Sequence, residues 1–107
     1  MEEELYKETG KRIRSARTAL GLTQDELSKK VDLTRTSVTN IEQGRQVIQI
    51  HLLYKFAKAL DILPKDLLPA PDELTKILLE KEITADQHLT SDEAKWLKSI
   101  KKKRSEG

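Results

Sequence analysis

No cysteine occurs in the chain, so neither a disulfide framework nor a thiolate metal site can hold it together. No apolar run approaches the roughly 18 residues that a membrane-spanning helix needs. No N-terminal stretch joins a basic flank, an apolar core and a small-residue cleavage site. The expectation is a soluble, cytoplasmic protein with no membrane partner. Net charge is also scarce: 20 basic against 18 acidic residues leave +2, so affinity for a polyanion must come from local arrangement rather than bulk attraction. There is no glycine-rich phosphate loop, and His51 and His88 have no metal-ligand pattern beside them and read as ordinary helix or loop residues. Together these absences predict no enzyme, no catalytic or metal-binding residues and no cofactor. A length of 107 residues, 36% of them charged, allows one small domain plus an appendage.

What is present is concentrated in residues 23–44. Thr23 followed by Glu26 forms a capping box immediately before Leu27 and Val31, which lie four apart and give a first short helix a single apolar stripe. Ser28 beside them is small enough for another helix to cross closely. Thr34 is a second N-cap candidate, and Gly44 suits the left-handed backbone that closes a helix, so a second helix is expected over Arg35 to Gln43. At about 100° per residue, Arg35, Thr36, Thr39, Asn40 and Gln43 share an arc of about 140°, with Val38 and Ile41 on the opposite side. That outer face has hydrogen-bonding groups but almost no charge, whereas a merely solvated helix usually carries Glu and Lys four apart. Two short capped helices with such an outward face spell a helix-turn-helix, a shape suited to reading double-stranded DNA.

Three segments in order, Leu22-Thr-Gln-Asp-Glu-Leu-Ser, Val38-Thr-Asn-Ile-Glu-Gln-Gly-Arg45 and Phe56-Ala-Lys-Ala-Leu60, resemble the Cro/CI-type (Xre) family of phage and bacterial repressors, over about residues 9–68. The resemblance implies an all-α fold: a five-helix, lambda-repressor-like DNA-binding domain with helices near Leu5–Leu20, Thr23–Val31, Arg35–Gln43, Gln49–Leu60 and Pro64–Leu68. Periodicity gives the same elements. The first carries Leu5, Ile13, Ala16 and Leu20 on one side and stops at Gly21, while Gly10 weakens its middle by up to about 1 kcal/mol relative to alanine. The fourth carries Leu52, Leu53, Phe56, Ala57 and Leu60, and Pro64 fits the first turn of the fifth. Two departures from the family pattern stand out. Asp32 takes a turn position usually held by glycine, where a left-handed backbone is expected, and Ile48 and Gln49 leave the fourth helix poorly capped.

The resemblance also implies site residues. Arg35, Thr36 and Asn40 match positions that touch bases: arginine can bind guanine and asparagine adenine through paired hydrogen bonds, and threonine can meet a thymine methyl. Gln24 matches a phosphate-clamping glutamine at a helix start. Thr34, Ser37, Thr39, Gln43 and Arg45 are backbone or flanking contacts, which fix register. Arg17 and Glu42 match a structural pair that ties the first helix to the recognition helix.

The expected organisation is a helix-turn-helix domain over 1–68, a stiff linker at 69–71 and a helical C-terminal extension over 72–107. In the extension, Asp72 can cap a helix bearing Leu74, Ile77 and Leu78. Thr90 with Glu93 can cap another bearing Trp96, Leu97 and Ile100, and a basic tail, Lys101 to Arg104, follows. Helices this short must bury their stripes against the core or another subunit. Too few residues follow Pro69 for the self-cleaving or ligand-sensing domain of larger repressors. The extension is therefore expected to assist homodimerisation, with Leu63, Leu67 and Leu68 joining that interface. The function expected is a sequence-specific transcriptional regulator, a repressor that binds a near-palindromic operator as a dimer. The alternative is an interaction module or antitoxin-like protein that holds a protein partner through its C-terminal helices.

Overall fold

A computed structural model describes residues 1–85; His88, the Thr90–Glu93 box, the segment with Trp96 and the basic tail lie outside the described residues. The described residues are helical, with no strand among them: α1 (Glu2–Ala19), α2 (Gln24–Lys30), α3 (Arg35–Glu42), α4 (Ile50–Ala59), a 3₁₀ turn (Pro64–Leu67) and α5 (Pro71–Ala85). The fold is that of a lambda-repressor-like DNA-binding domain, its fifth element reduced to the single 3₁₀ turn. Residues 2–69 form one compact unit, and α5 belongs to a second.

The first unit closes around Phe56, which is fully buried with Ile13, Leu27, Val38, Ile41 and Leu60. These residues come from the first four helices and from Leu60, the C-cap of α4, so the core is a joint product of four narrow apolar faces. Helix starts follow sequence chemistry. Glu26 N donates to Thr23 Oγ1 and Thr23 N donates to Glu26 Oε1, both at 3.0 Å, completing the capping box of α2. Thr34 Oγ1 accepts from Ser37 N at 3.1 Å and caps α3. Gln49 precedes α4 without a side-chain cap, as the sequence implied.

The first four helices end alike. In each, the amide two residues past the C-cap bonds a carbonyl one turn back: Leu22 to Arg17, Leu33 to Ser28, Arg45 to Asn40 and Ile62 to Ala57. The residue between takes a left-handed backbone: Gly21 (φ 71°), Asp32 (φ 57°), Gly44 (φ 74°) and Asp61 (φ 57°). These are Schellman caps, which satisfy carbonyls that would otherwise lack donors.

Several expectations need correction. Leu20 does not belong to the apolar side of α1. The Schellman turn points it outward at 52% exposure, and the chain brings half-buried Leu22 inward instead. Leu67 cannot join an interface because it is fully buried in its own core. α5 begins at Pro71, inside the segment read as a linker, so Asp72 lies in its first turn rather than at its cap. Glu73 Oε1 instead accepts from Ala70 N at 3.2 Å. Gly10 is buried against α3, and its absent side chain is a packing requirement: an added Cβ would overlap the Ile41 and Glu42 carbonyl groups.

Candidate nucleic-acid interface

α3 packs its Val38 and Ile41 side into the core, and this fixes which residues face outward. Arg35, Thr36 and Gln43 are exposed, and Ser37, Thr39 and Asn40 are half-buried. Thr34 spends a hydroxyl lone pair on the cap, and Arg45 stays exposed just past Gly44.

Behind this face lies a buried ion pair. Arg17 of α1 donates to both oxygens of Glu42: Nε to Oε2 at 2.7 Å and Nη2 to Oε1 at 3.1 Å. The Arg17 side chain is 11% exposed and that of Glu42 1%, so the pair is shielded from water. Arg17 Nη1 also donates to the Leu22 carbonyl at 2.8 Å, which ties the guanidinium to the α1–α2 corner. A planar fork satisfied along two edges is a rigid strut, and it holds the C-terminal end of α3 against α1.

Gln24, the first residue of α2, joins this network. Its Nε2 donates to Glu42 Oε1 at 3.1 Å, and its Oε1 accepts from Thr39 Oγ1 at 2.9 Å. Thr39 Oγ1 also lies 3.0 Å from the Arg35 carbonyl, so its one proton serves either acceptor. Of the candidate site residues, Gln24, Arg35, Thr39 and Gln43 line one open cleft of about 670 Å³ together with Arg17 and Glu42. Thr34, Thr36, Ser37, Asn40 and Arg45 lie outside its lining.

Arg14 of α1 also lines that cleft, and sequence reasoning missed it. It is exposed and, among the described residues, forms no ion pair or side-chain hydrogen bond; the same is true of Arg35. Arg14 and Arg35 bring two guanidinium groups to a cleft whose other charged lining residues are paired, Arg17 with Glu42 and Asp25 with Lys29 at 3.3 Å, and so give it a local excess of positive charge among the described residues. The only cue in the sequence is that Arg14 precedes Arg17 by three positions, which places the two on neighbouring parts of one helix face.

Among the described residues no group of three or more His, Cys, Asp or Glu could hold a metal ion, and no helix is long and apolar enough to cross a membrane.

Comparison with known proteins agrees with this geometry. A protein of Archaeoglobus fulgidus described as an uncharacterized HTH-type transcriptional regulator is 37% identical over 62 residues, 58% of this chain and 89% of its own length. The control protein C.BamHI of Bacillus amyloliquefaciens is 35% identical over 60 residues, 55% of this chain and 74% of its own. Among solved structures, the restriction-modification controller protein C.AhdI from Aeromonas hydrophila superposes with a TM-score of 0.57 at 36% identity, covering 59% of this chain and 96% of that one. The helix-turn-helix family HTH_3 matches residues 13–68. Because that span exceeds half of the sequence and lies within the unit that presents α3, the chain belongs to the helix-turn-helix family of DNA-binding transcriptional regulators, whose task is recognition rather than catalysis.

Proposed function

We propose that the chain is a sequence-specific repressor that binds a near-palindromic operator as a homodimer. The observation that carries this reading is the polar outer face of α3, with an exposed Arg35 at its N-terminal end, held in place by the buried Arg17–Glu42 pair. Base contacts are assigned to Arg35, Thr36 and Asn40. Thr34, Ser37, Gln43 and Arg45 frame the helix with phosphate or sugar contacts, which set register rather than identity.

Two such helices about 34–36 Å apart enter successive major grooves on one face of the duplex, and the twofold symmetry of the protein then appears in the operator. Leu63 and Leu68, exposed at 58% and 38%, supply apolar surface to a second copy. Restriction-modification control is the specialised role favoured by likeness to C.BamHI and C.AhdI, both described as control or controller proteins.

Binding-site selection with the full chain tests the reading, followed by mobility shift on the duplexes recovered and on the region upstream of the chain's own gene. A consensus with inverted symmetry, bound as a protein dimer, supports it. Absence of any sequence preference rejects base reading, and a monomer on an asymmetric site rejects the dimeric operator.

A further inference from the structure

The Gln24 carboxamide is held at both ends. Its oxygen lies 2.9 Å from the Thr39 hydroxyl, whose one proton it shares with the Arg35 carbonyl, and its nitrogen donates to Glu42, so a single α2 side chain meets α3 at two positions three residues apart on one helix face. Glu42 accepts three hydrogen bonds in this arrangement: Oε1 accepts from Arg17 Nη2 and Gln24 Nε2, and Oε2 accepts from Arg17 Nε. The grip therefore links α2 and the middle of α3 to a shielded ion pair anchored on α1. This grip adds a tie at Thr39, in the middle of α3, to the Arg17–Glu42 strut at its C-terminal end, and two ties at separate positions oppose rotation of the helix about its own axis. With side-chain tips about 5–6 Å from the axis, a rotation of about 20° displaces them by about 2 Å. A shift of that size is enough to break paired hydrogen bonds to a base edge.

We propose that Gln24 is a specificity-positioning residue that sets the angular register of the recognition helix through Thr39 and Glu42, rather than a clamp on the DNA backbone. The inference rests on the DNA-reading function proposed above and adds which residue fixes its discrimination. A clamp and a register pin differ in what their loss does. Removing a phosphate contact weakens operator and unrelated duplex together and makes the salt dependence shallower by about one unit of slope. Releasing the register costs only the contacts that depend on helix angle.

The test uses the full chain, its selected operator and a scrambled duplex, with affinities measured across a salt series for wild type, Gln24→Ala, Thr39→Val and the double variant. The expected result for Gln24→Ala is a fall of about tenfold in the operator-to-scrambled ratio, the equivalent of about one hydrogen bond, with the salt slope on the scrambled duplex unchanged. Thr39→Val, which removes the hydroxyl while preserving its shape, shows the same pattern. The double variant loses no more than the worse single, since both break one linkage. Equal loss on both duplexes with a shallower slope, or additive losses in the double variant, overturns the register role and leaves the DNA-reading function standing. A wild-type chain with no operator preference overturns both.

Discussion

Gly10 of α1 lies so close to the end of α3 that a methyl group on it would sit 2.6 Å from the Glu42 carbonyl oxygen, with the Ile41 carbonyl closer still. The contact brings α1 within reach of the Arg17–Glu42 pair two helical turns further along. Alanine at this position would gain up to about 1 kcal/mol in helix propensity. It would also force backbone against backbone, and overpacking of that kind costs about 1–3 kcal/mol or more. Gly10→Ala is therefore expected to lower stability, against the helix-propensity trend, by a net of about 1–2 kcal/mol in denaturant unfolding. Unchanged or raised stability would show that the two helices separate at little cost.

The ion pair itself gives a sharper contrast. Glu42→Ala leaves a guanidinium with 11% exposure facing no counter-charge, a loss expected at about 3–5 kcal/mol. For a domain of this size each kcal/mol corresponds to about 4–8 °C in melting temperature, so the variant should melt far below wild type or fail to fold. Replacing both partners with apolar residues of similar volume, Arg17→Met with Glu42→Leu, should recover most of the stability, because no charge is then stranded. Thermal melts of the two variants provide the check.

How far these features were legible in the sequence depends on the range of the interaction behind them. Thr23, Glu26, Thr34, Gly21 and Gly44 act within a few residues of themselves, and their caps and turns follow from local chemistry alone. The role of Gly10 is invisible locally, because what excludes a side chain there is a carbonyl more than thirty positions away. Leu20 fits the periodicity of α1 yet points outward, since the Schellman turn reverses the chain one residue before the pattern would end. Arg14 resembles its basic neighbours Lys11 and Arg12 in sequence, and only the crossing of α1 over α3 selects it for the cleft. The Arg17–Glu42 contact was suggested by family resemblance, but the addition of Gln24 and Thr39 to it requires coordinates.

Asp32 and Asp61 are left-handed at helix ends where glycine would be unstrained, each with φ 57°. A side chain in that region costs about 1–2 kcal/mol, part of which aspartate recovers through local hydrogen bonding, and glycine loses some of the remainder to unfolded-state entropy. Asp32→Gly and Asp61→Gly are each expected to stabilise by about 0.5 kcal/mol, additively because they close different helices. A shift of the denaturation midpoint to higher denaturant with unchanged slope measures this, and a shift to lower denaturant would mean that the carboxylates contribute more than their backbone strain.

The capping box of α2 makes stability depend on pH. The Thr23 amide, and then the Thr23 hydroxyl, hold the Glu26 carboxyl below its ordinary value of 4.5. The folded state thus favours the ionised form, so the contribution of this cap is complete above 4.5 and is lost as pH falls through the lowered value. Glu26→Gln keeps an oxygen acceptor for the Thr23 amide but cannot titrate. Its stability should run below wild type at pH 7 and converge with it in acid. Parallel curves across the acid range would remove Glu26 as a source of the dependence.

Arg35 and Arg14 line the same cleft and carry the same charge, yet different work is proposed for them. Arg35 begins the helix whose face is proposed to read bases, and its replacement should relax preference at one base pair at a cost of about 1–3 kcal/mol on the operator. Arg14 belongs to α1 rather than to the helix proposed to read bases, and the role proposed for it is a backbone contact. Arg14→Ala should therefore weaken operator and scrambled duplex by a similar factor and reduce the salt slope by about one. Selection experiments on the two variants separate the roles: a relaxed consensus for Arg14→Ala, or an unaltered one for Arg35→Ala, would reverse the assignment.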